Sequence, residues 1–269
     1  MTSRPIGLYD SGVGGLTVLK EFRKQFPHET FVYFADTLNL PYGQKTKGQI
    51  VDYSRTILSW FQNTINAKMV IAACHTSSAL ALDELAPQFE IPVIGTIYPL
   101  LKEVIHDDSP RRLGIIATPV SAESRTHETL LRANGFSGEI LSIGCKDFVP
   151  LIESGRLDSQ ELFDSVAATL KPFETFKPDA LIFGCTHYPF IKPIIESILH
   201  SSVQYIDPAA TMAREAHLWL EQNRLHNASR EPSTLQFYCS DDATTFELKL
   251  RKLLALSDHS VRCLNIHAA

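Results

Sequence analysis

Short apolar runs rich in Val and Ile recur along the chain, each closed by glycine, proline or small polar residues, with longer stretches of helical period between them. The runs predict strands at Ile6–Tyr9, Thr30–Ala35, Met69–Ala73, Pro92–Thr96, Leu113–Ala117, Glu139–Ile143, Ala180–Gly184, Val203–Ile206, Leu235–Cys239 and Val261–Asn265. Strands that alternate with helical segments predict an α/β protein with mainly parallel sheets. The plainest helix runs over Pro208–Glu221, where Ala209, Met212, Ala213, Ala216, Trp219 and Leu220 share one face. Asp207 is its expected N-cap and Pro208 its first turn.

The pattern is also duplicated. IGLYDSGVGGL near Ile6 and LGIIATPVSAES near Leu113 each read as a strand, a small polar turn and a helix. MVIAACHTSSA and ALIFGCTHYPF follow at nearly equal distances, each an apolar strand that ends in Cys, Thr and His before a predicted helix. This predicts two similar α/β halves, with Cys74 and Cys185 at the carboxyl ends of buried parallel strands, the edge where ligands of open α/β sheets collect. The expected division is 1–97 with 207–269 for the Cys74 half and 98–206 for the Cys185 half.

Composition narrows the functional classes. The 269 residues are 44% hydrophobic and 20% charged, as in ordinary folded proteins, and 25 basic against 30 acidic residues leave a net charge of −5. With no dense Lys/Arg run, nucleic acid is not an expected partner. Apolar stretches such as Met69–Cys74 are too short to span a bilayer, and the opening MTSRPIGLYDSG has no secretory core, so a cytoplasmic protein without a membrane partner is expected. The five cysteines include no CxxC pair and read as free thiols, Cys145, Cys239 and Cys263 as structural ones.

A lone cysteine after an apolar strand is usually a small buried hydrophobe. Two in matching places of a duplicated fold, each ahead of a helix whose N-terminus favours a thiolate, point to chemistry. Two facing thiols suit removal of a proton from one face of a carbon and delivery to the other, which is racemisation or epimerisation by two bases. Asp10 and Ser11 end the first strand, and Gly12, Gly14 and Gly15 would let backbone amides approach an anion there. Pro41-Tyr42-Gly43 stiffens the loop after the second strand. Three rivals remain. Gly12, Gly14 and Asp36 make a partial dinucleotide fingerprint, incomplete because Thr17 fills the third glycine position. Cys74, His75, Cys185 and His187 have the ligand types of a zinc site but not its spacing. A cysteine phosphatase lacks its arginine, because Leu80 stands where that loop needs one.

DSGVGGLTVL, ADT…LPYG, the Cys-x-Thr turn at Cys74, FVPLIE and GCTHYPF together resemble glutamate racemase, a cofactor-independent family that makes D-glutamate for bacterial cell walls. The resemblance implies two Rossmann-like (flavodoxin-like) α/β domains with the site in the cleft between them, no cofactor, and no metal. It implies that Cys74 and Cys185 transfer the protons, with Asp10 assisting the first and His187 the second. Contacts to glutamate are implied for Asp10, Ser11, Pro41, Tyr42, Gly43, His75, Thr76, Thr118, Ser121, Glu153, Thr186 and His187, and a homodimer by analogy. Aspartate racemases share the two-cysteine plan but are expected to carry an acidic residue where His187 stands. The chain departs from the family at His75, where Asn is usual, and at Ser121, where Thr is. The imidazole at 75 can still donate a hydrogen bond, but it is bulkier and able to carry charge. That departure prompts a second reading, a binding protein that kept the fold without the reaction.

Overall fold

The computed structural model describes residues 3–106, 109–199, 202–229, 231–254 and 259–267. The first two residues of the N-terminal segment discussed above, and the last two of the chain, lie outside them. Ten strands are described: β1 (Ile6–Asp10), β2 (Thr30–Ala35), β3 (Met69–Ala72), β4 (Val93–Ile94), β5 (Arg112–Ala117), β6 (Glu139–Gly144), β7 (Ala180–Gly184), β8 (Gln204–Ile206), β9 (Thr234–Cys239) and β10 (Val261–Cys263). They form two sheets, a six-stranded one in the order β10-β9-β2-β1-β3-β4 and a four-stranded one in the order β6-β5-β7-β8. Every strand pair is parallel.

The duplication is visible in the strand order. In each half the first strand lies between the second and the third, with the fourth outside the third, so β2-β1-β3-β4 repeats as β6-β5-β7-β8. The chain direction across the sheet therefore reverses beside β1 in one half and beside β5 in the other, and crevices at such carboxyl ends are where open α/β sheets bind their ligands. Asp10 and Cys74 stand at the first crevice, and Thr118 and Cys185 at the second.

Alternating side chains bury both faces of each sheet. Along β1–β3, Ile6, Leu8, Phe31, Tyr33, Met69 and Ile71 enter one core, whereas Tyr9, Val32, Phe34, Val70 and Ala72 enter another on the opposite face. In the second half Leu113, Ile115, Ala180 and Ile182 face one core, and Ile116, Leu181 and Phe183 the other. The helix Ala209–Gln222 buries Ala209, Met212, Ala213, Ala216 and Leu220 in the core of the six-stranded sheet.

Some boundaries shift. That helix starts one residue later than expected, although Asp207 still serves its first turn, its Oδ1 accepting from Ala209 N at 3.0 Å. The fourth strand shortens to Val93–Ile94 because the Thr96 amide goes to Ser78 Oγ at 3.2 Å instead of to the sheet. The last strand stops at Cys263, beyond which Asn265 Oδ1 accepts from His267 N at 3.0 Å and turns the chain. All five cysteines are unpaired, and among the described residues no helix is long and apolar enough to cross a membrane.

Candidate active site

Cys74 lies two residues past the end of β3, since the Ala73 amide still donates to Tyr9 O at 3.0 Å before the chain turns. Its carbonyl accepts from Ser77 Oγ and Ser78 N, both at 3.0 Å, which starts the helix His75–Leu80. Cys74 is only 5% exposed. Burial pushes it up to about 12, the neighbouring Asp10 carboxylate adds to the rise, and Cys185 acts in the same direction. The sequence predicts a helix terminus that keeps this sulfur ionised. A six-residue helix loses that contest to desolvation and an adjacent carboxylate, so Cys74 is a protonated thiol here.

Asp10 is fully buried at the end of β1. Its Oδ1 accepts from Gly12 N at 2.9 Å and its Oδ2 from Thr186 Oγ1 at 3.0 Å, so a residue of the second half holds a carboxylate of the first. Burial raises its pKa against the opposing pull of His187.

The Cys185 side is built differently. No α-helix begins directly after this cysteine: Cys185–His187 form a turn, a 3-10 turn covers Tyr188–Ile191, and the α-helix starts only at Lys192. Pro193, favoured in a first helical turn, falls where that helix begins. The turn places His187 Nδ1 3.6 Å from Cys185 Sγ. Its Nε2 lies 2.8 Å from Glu153 Oε1, which also accepts from Val13 N at 2.9 Å, while Glu153 Oε2 accepts from Lys249 Nζ at 2.6 Å. Burial alone would lower the His187 pKa, but its bonds to Cys185 and Glu153 carry it well above the ordinary value. Burial likewise opposes ionisation of Glu153, yet His187 and Lys249 hold that carboxyl down at about 2. An imidazolium thus faces the sulfur of Cys185, anchored from behind by a carboxylate whose oxygens are both engaged by the protein.

The glycines of DSGVGG have a different use from the expected one. Gly12 N and Val13 N are taken by Asp10 and Glu153, so these two amides are not free for an incoming anion. The missing side chains instead let the turn lie against the second half. A Cβ on Gly14 would collide with Thr186 Oγ1 and His187 Nδ1, and one on Gly12 with Glu153 Oε1. Thr17 adds to the same contact, its hydroxyl 2.8 Å from Gly14 O and 3.2 Å from Thr186 O. The dinucleotide reading fails at Asp36 as well. Its carboxylate accepts from Tyr42 Oη at 2.6 Å, Ser240 Oγ at 2.8 Å and Asn39 Nδ2, and lies 3.0 Å from His267 Nε2, so it is engaged in tying down the loop.

That loop brings Pro41, Tyr42 and Gly43 to the boundary between the halves, with Gly43 so close to Thr118 that a Cβ would lie 2.5 Å from Thr118 Cβ. Thr118 closes a triangle of hydroxyls across the boundary, 3.0 Å from Thr76 Oγ1 and 2.9 Å from Ser121 Oγ, with 3.3 Å between the last two. Ser11 is buried beside Asp10. His75 is also buried, its ring 6.2 Å from that of His127 and its Nδ1 without a hydrogen-bond partner among the described residues. Burial and the neighbouring imidazole hold its pKa well below the ordinary value, so it is neutral rather than cationic. Sequence reasoning missed His127, Lys249 and Tyr33, whose hydroxyl donates to Gly12 O at 2.8 Å. No motif marks any of the three.

Comparison with known proteins gives the arrangement its relatives. The sequence model of the Asp/Glu/hydantoin racemase family matches residues 17–216. A glutamate racemase of Microcystis aeruginosa is 40% identical over 254 residues, 94% of this chain and 88% of that protein. One of Streptococcus gordonii is 37% identical over 248 residues, 91% of this chain and 93% of that protein. Among solved structures, the glutamate racemase of Francisella tularensis in complex with D-glutamate superposes with a TM-score of 0.90 at 30% identity, covering 99% of both chains.

Proposed function

The chain belongs to the Asp/Glu/hydantoin racemase family, and from that premise we propose that it interconverts L- and D-glutamate with two sulfur acid/bases, Cys74 and Cys185, one removing the Cα proton and the other delivering a proton to the opposite face. It is an amino-acid racemase of the glutamate type, an isomerase. The observation that carries the two-base reading is the difference in surroundings between the two equivalent cysteines. One is a thiol that burial and a carboxylate keep protonated, and the other faces an anchored imidazolium. A two-base reaction needs an acid on one face of the carbon and a base on the other, the roles exchanging with direction, and unlike surroundings suit the two parts.

A Cα–H is a very weak acid, so the site must stabilise the developing carbanion in a dry cleft. Ser11, Thr76 and Thr186 supply hydroxyls for the substrate carboxylates, with Thr118 and Ser121 behind Thr76 and the Pro41-Tyr42-Gly43 loop covering the pocket. Asp10 assists on the Cys74 side and His187 on the Cys185 side. Glu153, wholly engaged by His187, Val13 and Lys249, supports His187 rather than touching substrate. Residues 1–97 with 207–269 serve as the Cys74 domain and 98–206 as the Cys185 domain. The reaction needs no cofactor, its product feeds peptidoglycan synthesis, and the protein acts in the cytoplasm as a homodimer, an assembly that sedimentation at micromolar concentration checks.

The neutral, buried His75 beside Cys74 favours one alternative, a protein that binds glutamate without turning it over. Proton NMR in D2O separates the two. Racemisation makes the Cα–H signal of either enantiomer disappear as deuterium enters, with optical rotation decaying to zero, whereas binding alone leaves both unchanged. Aspartate in the same assay tests the substrate class, and no exchange with it is expected.

A further inference from the structure

The carboxylate that orients His187 is itself held by a side chain from nearly a hundred residues further along the sequence. Lys249 lies on the helix Ala243–Leu254, whose Phe246 and Leu250 are packed in the same core as Ile6 and Leu8 of the six-stranded half. Glu153 ends the helix Phe148–Glu153, whose Phe148, Val149, Leu151 and Ile152 are packed in a core of the four-stranded half. The 2.6 Å contact from Lys249 Nζ to Glu153 Oε2 therefore crosses from one half to the other. One turn further on, Lys252 Nζ donates to Gly155 O at 2.6 Å, so the helix grips the 153–155 segment at two points.

The two grips differ in what they touch. Lys252 holds an exposed backbone carbonyl. Lys249 holds a carboxylate whose side chain is 7% exposed and whose other oxygen serves His187 and the Val13 amide. Among the described residues, Lys249 is the only hydrogen-bond partner of Glu153 Oε2. A buried carboxylate oxygen left unpaired is costly, so without Lys249 the group would turn towards solvent or take up a proton, and either change releases His187 Nε2.

We propose that Lys249 is a positioning residue for the proton transfer at Cys185, holding the Glu153 carboxylate against His187 and doing so only when the two halves are closed on each other. The chain of contacts runs Lys249–Glu153–His187–Cys185, at 2.6, 2.8 and 3.6 Å. Among the described residues no such chain stands behind Cys74, whose neighbour Asp10 is anchored by Gly12 N and Thr186 Oγ1. The inference rests on the reading of Cys185 as an acid/base.

Cα-deuterated L- and D-glutamate test it. Because the two enantiomers have equal free energy, any variant must lower kcat/KM equally in both directions, but slowing one sulfur's step changes the isotope effects unequally. Lys249→Met is expected to lower kcat/KM about tenfold, less than loss of the acid/base itself. The isotope effect should rise for the enantiomer that Cys185 deprotonates and fall for the other, Lys249→Arg should restore the wild-type pair of values, and Lys252→Met should leave them as they are. Isotope effects unchanged or shifted equally in Lys249→Met, or the same asymmetry in Lys252→Met, would overturn the proposal in favour of a general clamp. Should Lys249→Met fail to fold, Lys249→Gln carries the same comparison. The failure of the underlying reading looks different: Cys185→Ala would then still racemise glutamate, whereas an inactive Cys185→Ala beside a symmetric Lys249→Met defeats only the role of Lys249.

Discussion

The Cys74 and Cys185 crevices are copies in topology and opposites in charge. Each places a cysteine just past the third strand of a four-strand repeat, next to the turn that follows the first strand. Around Cys74 stand a buried carboxylate and a neutral imidazole, and the thiol is pushed up to about 12. Around Cys185 stands an imidazolium backed by a carboxylate and a lysine. Two sulfurs stand in matching places of the repeat and in unlike surroundings, as a reaction with one acid and one base on opposite faces of a carbon requires. The halves are also interlocked, since Thr186 holds Asp10, Val13 holds Glu153, and Thr76 meets Thr118.

Removing either sulfur tests the comparison most harshly. Cys74→Ala and Cys185→Ala should each lower racemase activity by at least about 10³-fold, because one general acid/base is lost outright; polarimetry with purified protein measures it. Substantial activity in one variant alone would mean that only the other crevice does chemistry.

Neutralising the charge difference comes next. His187→Asn removes the imidazolium opposite Cys185 but keeps a hydrogen-bond donor. A loss of roughly 10²-fold in kcat is expected, with the isotope effects on the two enantiomers moving in opposite directions. A loss that leaves the two isotope effects balanced would place His187 in folding rather than proton transfer.

A steric probe of closure should act more mildly. Gly14→Ala drives a methyl into Thr186 and His187, and overpacking of this kind costs about 1–3 kcal/mol. The cost falls on the closed form, so KM should rise more than kcat falls, while urea denaturation shows little loss of stability. A large drop in stability with unchanged KM would mean that the contact belongs to the resting fold and not to closure.

The smallest effect at neutral pH is expected at His127. Burial holds its imidazole down at about 4, against an ordinary value of 6.5. The unfolded chain therefore takes up a proton between those values that the folded chain refuses, and stability falls as pH drops through that window and levels below it. The full penalty is roughly 3 kcal/mol. His127→Leu should unfold at higher urea concentration than the parent at pH 4.5, and the gap should narrow towards pH 7. An equal gap at both pH values would show a packing effect alone.

Much of this was legible in the chain. Apolar runs placed the strands, and the repeat of DSGVGG and ATPVSAES, with ACHT and GCTH behind them, placed both cysteines at carboxyl edges. The charges at those edges were not legible. The thiol of Cys74 was expected to be ionised because a helix follows it, but its ionisation depends on burial and on the fold of Asp10 beside it. The glycines were read as an anion site because their spacing fits one, whereas the amides at Gly12 and Val13 face carboxylates, one of them 140 residues away. Lys249, 96 residues from Glu153, sits in no motif at all. Contacts of that sequence separation depend on how two sheets come together, which no local period encodes.

The central claim is that two sulfurs work on opposite faces of one carbon, and the first turnovers in D2O test it most directly. Starting from unlabelled D-glutamate and stopping well before equilibrium, the L-glutamate formed should carry solvent deuterium at Cα while the remaining D-glutamate stays protonated. Product that retains the original hydrogen, or substrate that gains deuterium as fast as product appears, would mean that one base serves both faces and would contradict the account.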